Sequence, residues 1–225
     1  MGRPVAFGDG GSGYLAVPAA GTGPGVIVIQ EWWGLNDQIE EVCDRLAERG
    51  LVALAPDLYR GVETAEPDEA AKLMMALNIE RAAADMSGAI DVLLAQPEVV
   101  GPKVGVMGFC MGGGLTLLLG TQRPDAVGAV LPFYGVIPWA AHQPDWSRLE
   151  GAVQGHYAEL DGSASPEMVA ALEAELAALG KRAEFFVYEG TQHAFTNHHR
   201  PEVYDAAATE LAMDRAVAFL HTELA

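Results

Sequence analysis

Cysteine is scarce in this chain: its 225 residues include Cys43, Cys110 and no other. Neither has a C-x-x-C partner, so a disulfide framework is excluded. A reducing cytoplasm is the expected location, and a cysteine nucleophile would need one. Positive charge is scarce too, with 13 Lys and Arg against 31 Asp and Glu and a net charge of −18. Lysine occurs only at Lys72, Lys103 and Lys181, and no basic cluster forms. Nucleic acid and anionic membrane surfaces are therefore not expected as partners. Long apolar runs are missing as well. No segment approaches membrane-spanning length, and Met1-Gly2-Arg3-Pro4 lacks the apolar core of a signal peptide. Disorder is excluded in turn, because half the residues are hydrophobic and 20% are charged.

The residues that are present form a regular pattern. Val5 and Phe7, a glycine-rich stretch from Gly8 to Gly13, and Tyr14–Val17 predict an antiparallel hairpin. Val26-Ile27-Val28-Ile29 is the continuous β-branched run of a strand buried on both faces. A helix follows, with Ile39, Val42, Cys43 and Leu46 at helical spacing, a capping box at Asp37-x-x-Glu40 and Gly50 as its stop. Cys43 lies on that apolar stripe and reads as packing. Leu51–Ala55 predicts the next strand, and Glu66–Leu94 one or two helices with a break near Asn78. Further strands are predicted at Val104–Phe109, Ala129–Tyr134, Ala152–His156 and Phe185–Tyr188. Between and after them come helices from Leu115, from Ser165-Pro166 (Val169, Leu172, Leu176 and Leu179 inward) and over Pro201–Leu220. Strands alternating with helices imply an α/β fold with a largely parallel doubly wound sheet. No linker divides the chain, so residues 1–225 read as a single domain.

Chemistry concentrates at Gly108-Phe109-Cys110-Met111-Gly112. A strand, a sharp turn and a helix around G-x-C-x-G form a nucleophile elbow with cysteine in place of serine. The glycines leave room for so tight a turn, and the following helix N-terminus favours a thiolate. In open α/β sheets reacting groups gather beyond the carboxyl ends of the strands. Glu31, Asp57, Asp161 and His193 stand at such ends. The order Cys110, Asp161, His193 is the α/β-hydrolase order of nucleophile, acid and base. The imidazole would take the thiol proton or stabilise the thiolate, and the carboxylate would fix the ring tautomer. Glu31 follows a fully apolar strand and precedes two tryptophans, so poor solvation should raise its pKa and suit it to accept a proton. The backbone N–H groups of Trp32 and Met111 are the expected oxyanion donors. Trp33, Tyr59, Phe109, Tyr134, Trp139, Phe195 and Asn197 are candidates to line a pocket. His198-His199 lacks H-E-x-x-H or cysteine context and reads as a loop, with no metal site. His142, His156 and His221 have no evident partners.

These motifs resemble the dienelactone hydrolase family of α/β-hydrolases nearly end to end. The resemblance is carried by Gln30-Glu31-x-x-Gly34-Leu35-Asn36, Ala55-Pro56-Asp57-Leu58-Tyr59, Gly108–Gly113, Tyr134-Gly135, Asp161 and His193-x-Phe195. It implies a hydrolase of carboxylic esters or lactones, needing no cofactor, with Cys110, Asp161 and His193 as triad. It further implies a resting neutral thiol that gives its proton to Glu31 when substrate binds, then an acyl-thiol intermediate. Two positions depart from the family. Asn197 stands where an arginine would hold the substrate carboxylate, and Glu66–Ala70 offers no second cation. Arg60, Lys72, Arg81 and Arg200 are the alternatives. A thiol-redox or sensing protein, or a binding module on the same scaffold, are the competing readings. The expected molecule is a monomer or small homo-oligomer acting on a small ester or lactone.

Overall fold

A computed structural model describes residues 2–8 and 10–225; Met1 and Asp9 of the predicted hairpin connection lie outside the described residues. One eight-stranded sheet carries the chain, in the order β1-β2-β4-β3-β5-β6-β7-β8. Its strands are β1 (Arg3–Phe7), β2 (Gly11–Ala16), β3 (Gly23–Ile29), β4 (Val52–Pro56), β5 (Val99–Phe109), β6 (Val127–Phe133), β7 (Ala152–Leu160) and β8 (Ala183–Gln192). β1 and β2 pair antiparallel, β2 pairs antiparallel with β4, and from β4 to β8 every pairing is parallel. The helices are α1 (Asp37–Glu48), α2 (Pro67–Ala76), α3 (Ile79–Leu94), α4 (Met111–Gln122), α5 (Pro166–Ala178) and α6 (Ala206–Glu223).

Alternation along the central strands divides the core in two. Ile27, Ile29, Val104 and Val106 face α3 and α4, whereas Val26, Val28, Met107 and Phe109 face α1 and α6. Both faces are thus covered, as the unbroken apolar runs require. Each fully buried Val or Ile side chain stabilises the fold by roughly 1.5–3 kcal/mol.

Several boundaries differ from expectation for local reasons. The hairpin connection is shorter than Gly8–Gly13, because Gly11 and Gly13 already pair with Phe7 and Val5. The N-cap of α1 is Asn36, not Asp37: Asn36 is extended, and its side chain accepts from the Ile39 N–H at 3.3 Å. Asn78 does break the helical stretch, as the N-cap of α3. In α5, Val169 and Leu176 are buried, but Leu179 is 51% exposed because it is already the C-cap. Residues 201–205 precede α6, which is capped by Asp205.

The topology fixes where a site can form. From β3 the chain moves outward to β4, then returns across β3 to β5. The order therefore reverses between β3 and β5, and a crevice opens beyond their carboxyl ends.

Candidate active site

Glu31 and Cys110 stand on the two sides of that crevice, just past the ends of β3 and β5. Cys110 has φ 55° and ψ −117°, a strained conformation for a residue with a side chain, and α4 begins at the next residue. Two glycines permit the turn. A Cβ at Gly112 would lie 2.5 Å from the carbonyl oxygens of Ile29 and Gln30, and one at Gly108 would strike the Gly112 backbone. Tyr134 (φ 37°) and Ala194 (φ 67°) are also forced to positive φ, at the ends of β6 and β8. Strained backbone thus clusters around one space.

A chain of contacts crosses that space. His193, directly after β8, borders the same cavity as Cys110 and interacts with it electrostatically. Its Nδ1 lies 2.7 Å from Oδ2 of Asp161, directly after β7. Asp161 Oδ1 accepts from the backbone N–H groups of Ser163 (2.7 Å) and Ala164 (3.0 Å), so both oxygens are committed. The Asp161 side chain is fully buried and that of His193 is 25% exposed. Burial disfavours a charged His193 ring, but the hydrogen bonds and charges of Asp161 and Cys110 outweigh it and raise its pKa to about 10. Burial pushes the Asp161 carboxyl up, but the bonds from His193 and the two amides bring it below its ordinary range. The pair is therefore held as a carboxylate beside an imidazole that readily takes a proton.

Glu31 is 2% exposed. Its Oε1 accepts from the Tyr134 hydroxyl at 3.1 Å, and its Oε2 from Asn197 Nδ2 at 3.0 Å. Burial raises its pKa, and the opposing bonds from Asn197 and Tyr134 and the nearby His193 and Arg200 do not cancel this. Tyr134 is shared further: its hydroxyl lies 2.7 Å from Thr196 Oγ1, and its ring meets His193 edge-on at 5.2 Å. Burial, then the Glu31 charge, keeps the phenol neutral.

A cavity of about 200 Å³ lies over these groups. Glu31, Trp32, Trp33, Cys110, Met111, Tyr134, His193 and Arg200 line it, with Met74, Val136 and Pro138 adding apolar wall. Met111 opens α4, so its N–H has no carbonyl one helical turn back to bind. Trp32 reaches the same space from the β3 loop.

Other expected lining residues sit elsewhere. Phe109 and Phe195 are fully buried in the core towards α6, because strand alternation turns Phe109 away from the crevice. Trp139 packs on the opposite core cluster. Tyr59 borders a separate cleft, and its hydroxyl donates to Met111 Sδ at 3.3 Å. Asn197 holds Glu31 from behind. Asp57 is a turn residue whose carboxylate accepts from the Tyr59 and Gly61 amides. Cys43 is fully buried on α1, and burial pushes its thiol up. Buried His156 bonds Tyr188 at 2.8 Å, and burial lowers its pKa to about 3. Of the four possible cations, Arg200 lines the cavity. Arg60 pairs with Asp85 and Lys72 with Glu69, both away from it, and Arg81 lines separate clefts. Thr196 emerges only from the fold, since a threonine three residues after a histidine carries no sequence signal.

A family model described as "Dienelactone hydrolase family" matches residues 12–224. "Protein usf" of Aquifex pyrophilus is 37% identical over 228 residues, covering 97% of each chain. A protein of Aquifex aeolicus named "Putative carboxymethylenebutenolidase" is 35% identical over 237 residues, covering both chains completely. Among solved structures, a dienelactone hydrolase-like promiscuous phosphotriesterase from metagenomic libraries superposes with a TM-score of 0.88 at 26% identity, over 100% of this chain and 99% of that one. Est1E from Butyrivibrio proteoclasticus superposes with a TM-score of 0.70 at 14% identity, over 97% and 98%, a likeness of fold. Among the described residues no helix is long and apolar enough to cross a membrane.

Proposed function

The chain belongs to the dienelactone hydrolase family and is a hydrolase of small molecules, and we propose that it cleaves carboxylic esters or lactones through Cys110, His193 and Asp161. The placement of Cys110 and the hydrogen-bonded His193–Asp161 pair at one cavity, at the reversal of strand order, carries this reading. Residues 1–225 act as one domain, and the two unpaired cysteines favour a reducing cytoplasm.

In this mechanism the Cys110 thiol loses its proton to Glu31, whose burial makes it a better acceptor than a solvated carboxylate. Sγ attacks the carbonyl carbon, and the oxygen gains charge beside the backbone N–H groups of Trp32 and Met111. Collapse forms an acyl-thiol bond and breaks the bond to the leaving oxygen, which takes a proton from His193. A water molecule then gives a proton to His193 and attacks the acyl carbon, releasing the acid and the thiolate, which recovers its proton from Glu31. Asp161 keeps Nδ1 protonated, so Nε2 does the transfer. For a lactone, the leaving oxygen stays tethered to the acyl group until hydrolysis frees both.

A cavity of about 200 Å³ with tryptophan, methionine and proline walls suits a compact substrate. Arg200 supplies a cation at its rim and favours an ester or lactone bearing an acidic substituent. The test is turnover of an activated aryl ester by Cys110→Ala. The expected loss is at least about 10³-fold, or 4 kcal/mol in barrier. Unchanged turnover would remove Cys110 from the chemistry.

A further inference from the structure

The loop that carries His193 also carries His198 and His199, and both rings turn towards one carboxylate on α1. His198 Nε2 lies 2.6 Å from Glu41 Oε2, and His199 Nε2 lies 3.4 Å from the same oxygen. All three potential donor atoms fall within 4.8 Å of one another. We propose that Glu41, His198 and His199 form a binding site for a divalent transition metal, with Zn²⁺ the ion it fits best.

The geometry is close to what zinc requires. Metal–ligand distances of about 2.0–2.2 Å at tetrahedral angles separate neighbouring donors by roughly 3.3–3.5 Å. The His199 to Glu41 separation already matches at 3.4 Å, and the His198 to Glu41 separation of 2.6 Å has only to open by less than one ångström. The two rings stand nearly perpendicular, 85° apart with centroids 4.5 Å from each other, so neither blocks the other's nitrogen. His198 also meets the Tyr204 ring edge-on, and the His199 backbone N–H donates to Asn197 Oδ1 at 3.0 Å. The donors are thus partly oriented before any ion arrives. Their side chains are 30%, 42% and 48% exposed for His198, His199 and Glu41, so an ion can enter and a water can complete the fourth position. Two imidazoles and one carboxylate prefer zinc, copper or nickel to magnesium or calcium. A net charge of −18 further favours cation uptake.

The position has a consequence for the catalytic loop. A metal here ties α1 to the segment between His193 and α6. That segment presents Asn197, which bonds His199 on one side and Glu31 on the other. Metal binding would therefore immobilise the support of Glu31 without entering the cavity. The bland alternative is an exposed glutamate that accepts from two solvated imidazoles, which orders nothing beyond itself.

Calorimetric titration with zinc chloride decides between them. A Cys110→Ser background removes the thiol that could pair with His193 as a competing zinc site, and its fold is checked by circular dichroism. The expected result is one zinc per chain, a higher melting temperature with zinc, and no such rise with magnesium. Adding Glu41→Gln or His199→Gln, both at exposed positions, should weaken binding at least about tenfold. No binding by the folded protein would overturn the proposal. So would binding unaffected by either substitution, or an equal thermal shift with magnesium.

Discussion

Asn197 donates to Glu31 across 3.0 Å, joining the loop before α6 to the end of β3, 166 residues apart in sequence. Because this bond favours the ionised carboxylate, it opposes the rise that burial imposes on Glu31. Removing it in Asn197→Ala should raise the Glu31 pKa further. If Glu31 accepts the thiol proton as a carboxylate, the acid limb of kcat/KM then moves to higher pH. Activity in mildly acidic buffer falls while the alkaline plateau is kept. A pH–rate profile of the two proteins checks this, and an unmoved limb would remove Glu31 from the thiol's deprotonation.

The elbow predicts an opposition between stability and activity. Cys110 at φ 55° occupies a region that costs a residue with a Cβ about 1–3 kcal/mol and glycine much less. Glycine returns part of that advantage, roughly 0.5–1 kcal/mol, through its freer unfolded chain. Cys110→Gly should therefore unfold in urea at about 1 kcal/mol greater stability than Cys110→Ala. Both should be inactive. Equal midpoints would mean that the turn is not strained.

Arg200 gives a specificity test. Its side chain is 34% exposed and already bonds Glu202 at 2.9 Å, so solvent and that carboxylate weaken its hold on a substrate anion. A charge-assisted bond discounted in this way is worth about 1.4 kcal/mol, or tenfold. Arg200→Ala should raise KM about tenfold for esters with a free carboxylate and leave neutral esters nearly unchanged. The ratio of KM values for a matched pair of esters is the measurement. An equal change in both would assign Arg200 a structural role.

Legibility followed the range of the interactions involved. Val26–Ile29 and Val104–Phe109 are readable because a two-sided core demands unbroken apolar strands, and the G-x-C-x-G turn and the strand-end position then locate Cys110 and Glu31. Strand ends likewise located Asp161 and His193, which the sequence separates by 32 residues but the fold sets 2.7 Å apart. What the sequence hid depended on direction. Phe109 and Trp139 are aromatic near a strand end, but the pleat turns Phe109 into the core and the loop path leaves Trp139 half-buried against the other core cluster. Leu179 continued the apolar spacing of α5 one step beyond the helix. The cap of α1 lies one residue before the expected Asp37, at Asn36, where the backbone is still extended. Glu41 sits on α1, far in sequence from His198 and His199, so nothing along the chain marks it as a third donor beside the two histidines.

The central claim is a covalent acyl bond to Cys110, and acid-quenched mass spectrometry of the protein mixed with an activated aryl ester tests it most directly. The predicted result is a mass increase equal to the acyl group, mapped by proteolysis to the peptide holding Cys110. It should be lost on treatment with hydroxylamine and absent from Cys110→Ala. Steady turnover with no adduct on Cys110, or the same adduct and rate in Cys110→Ala, would contradict it.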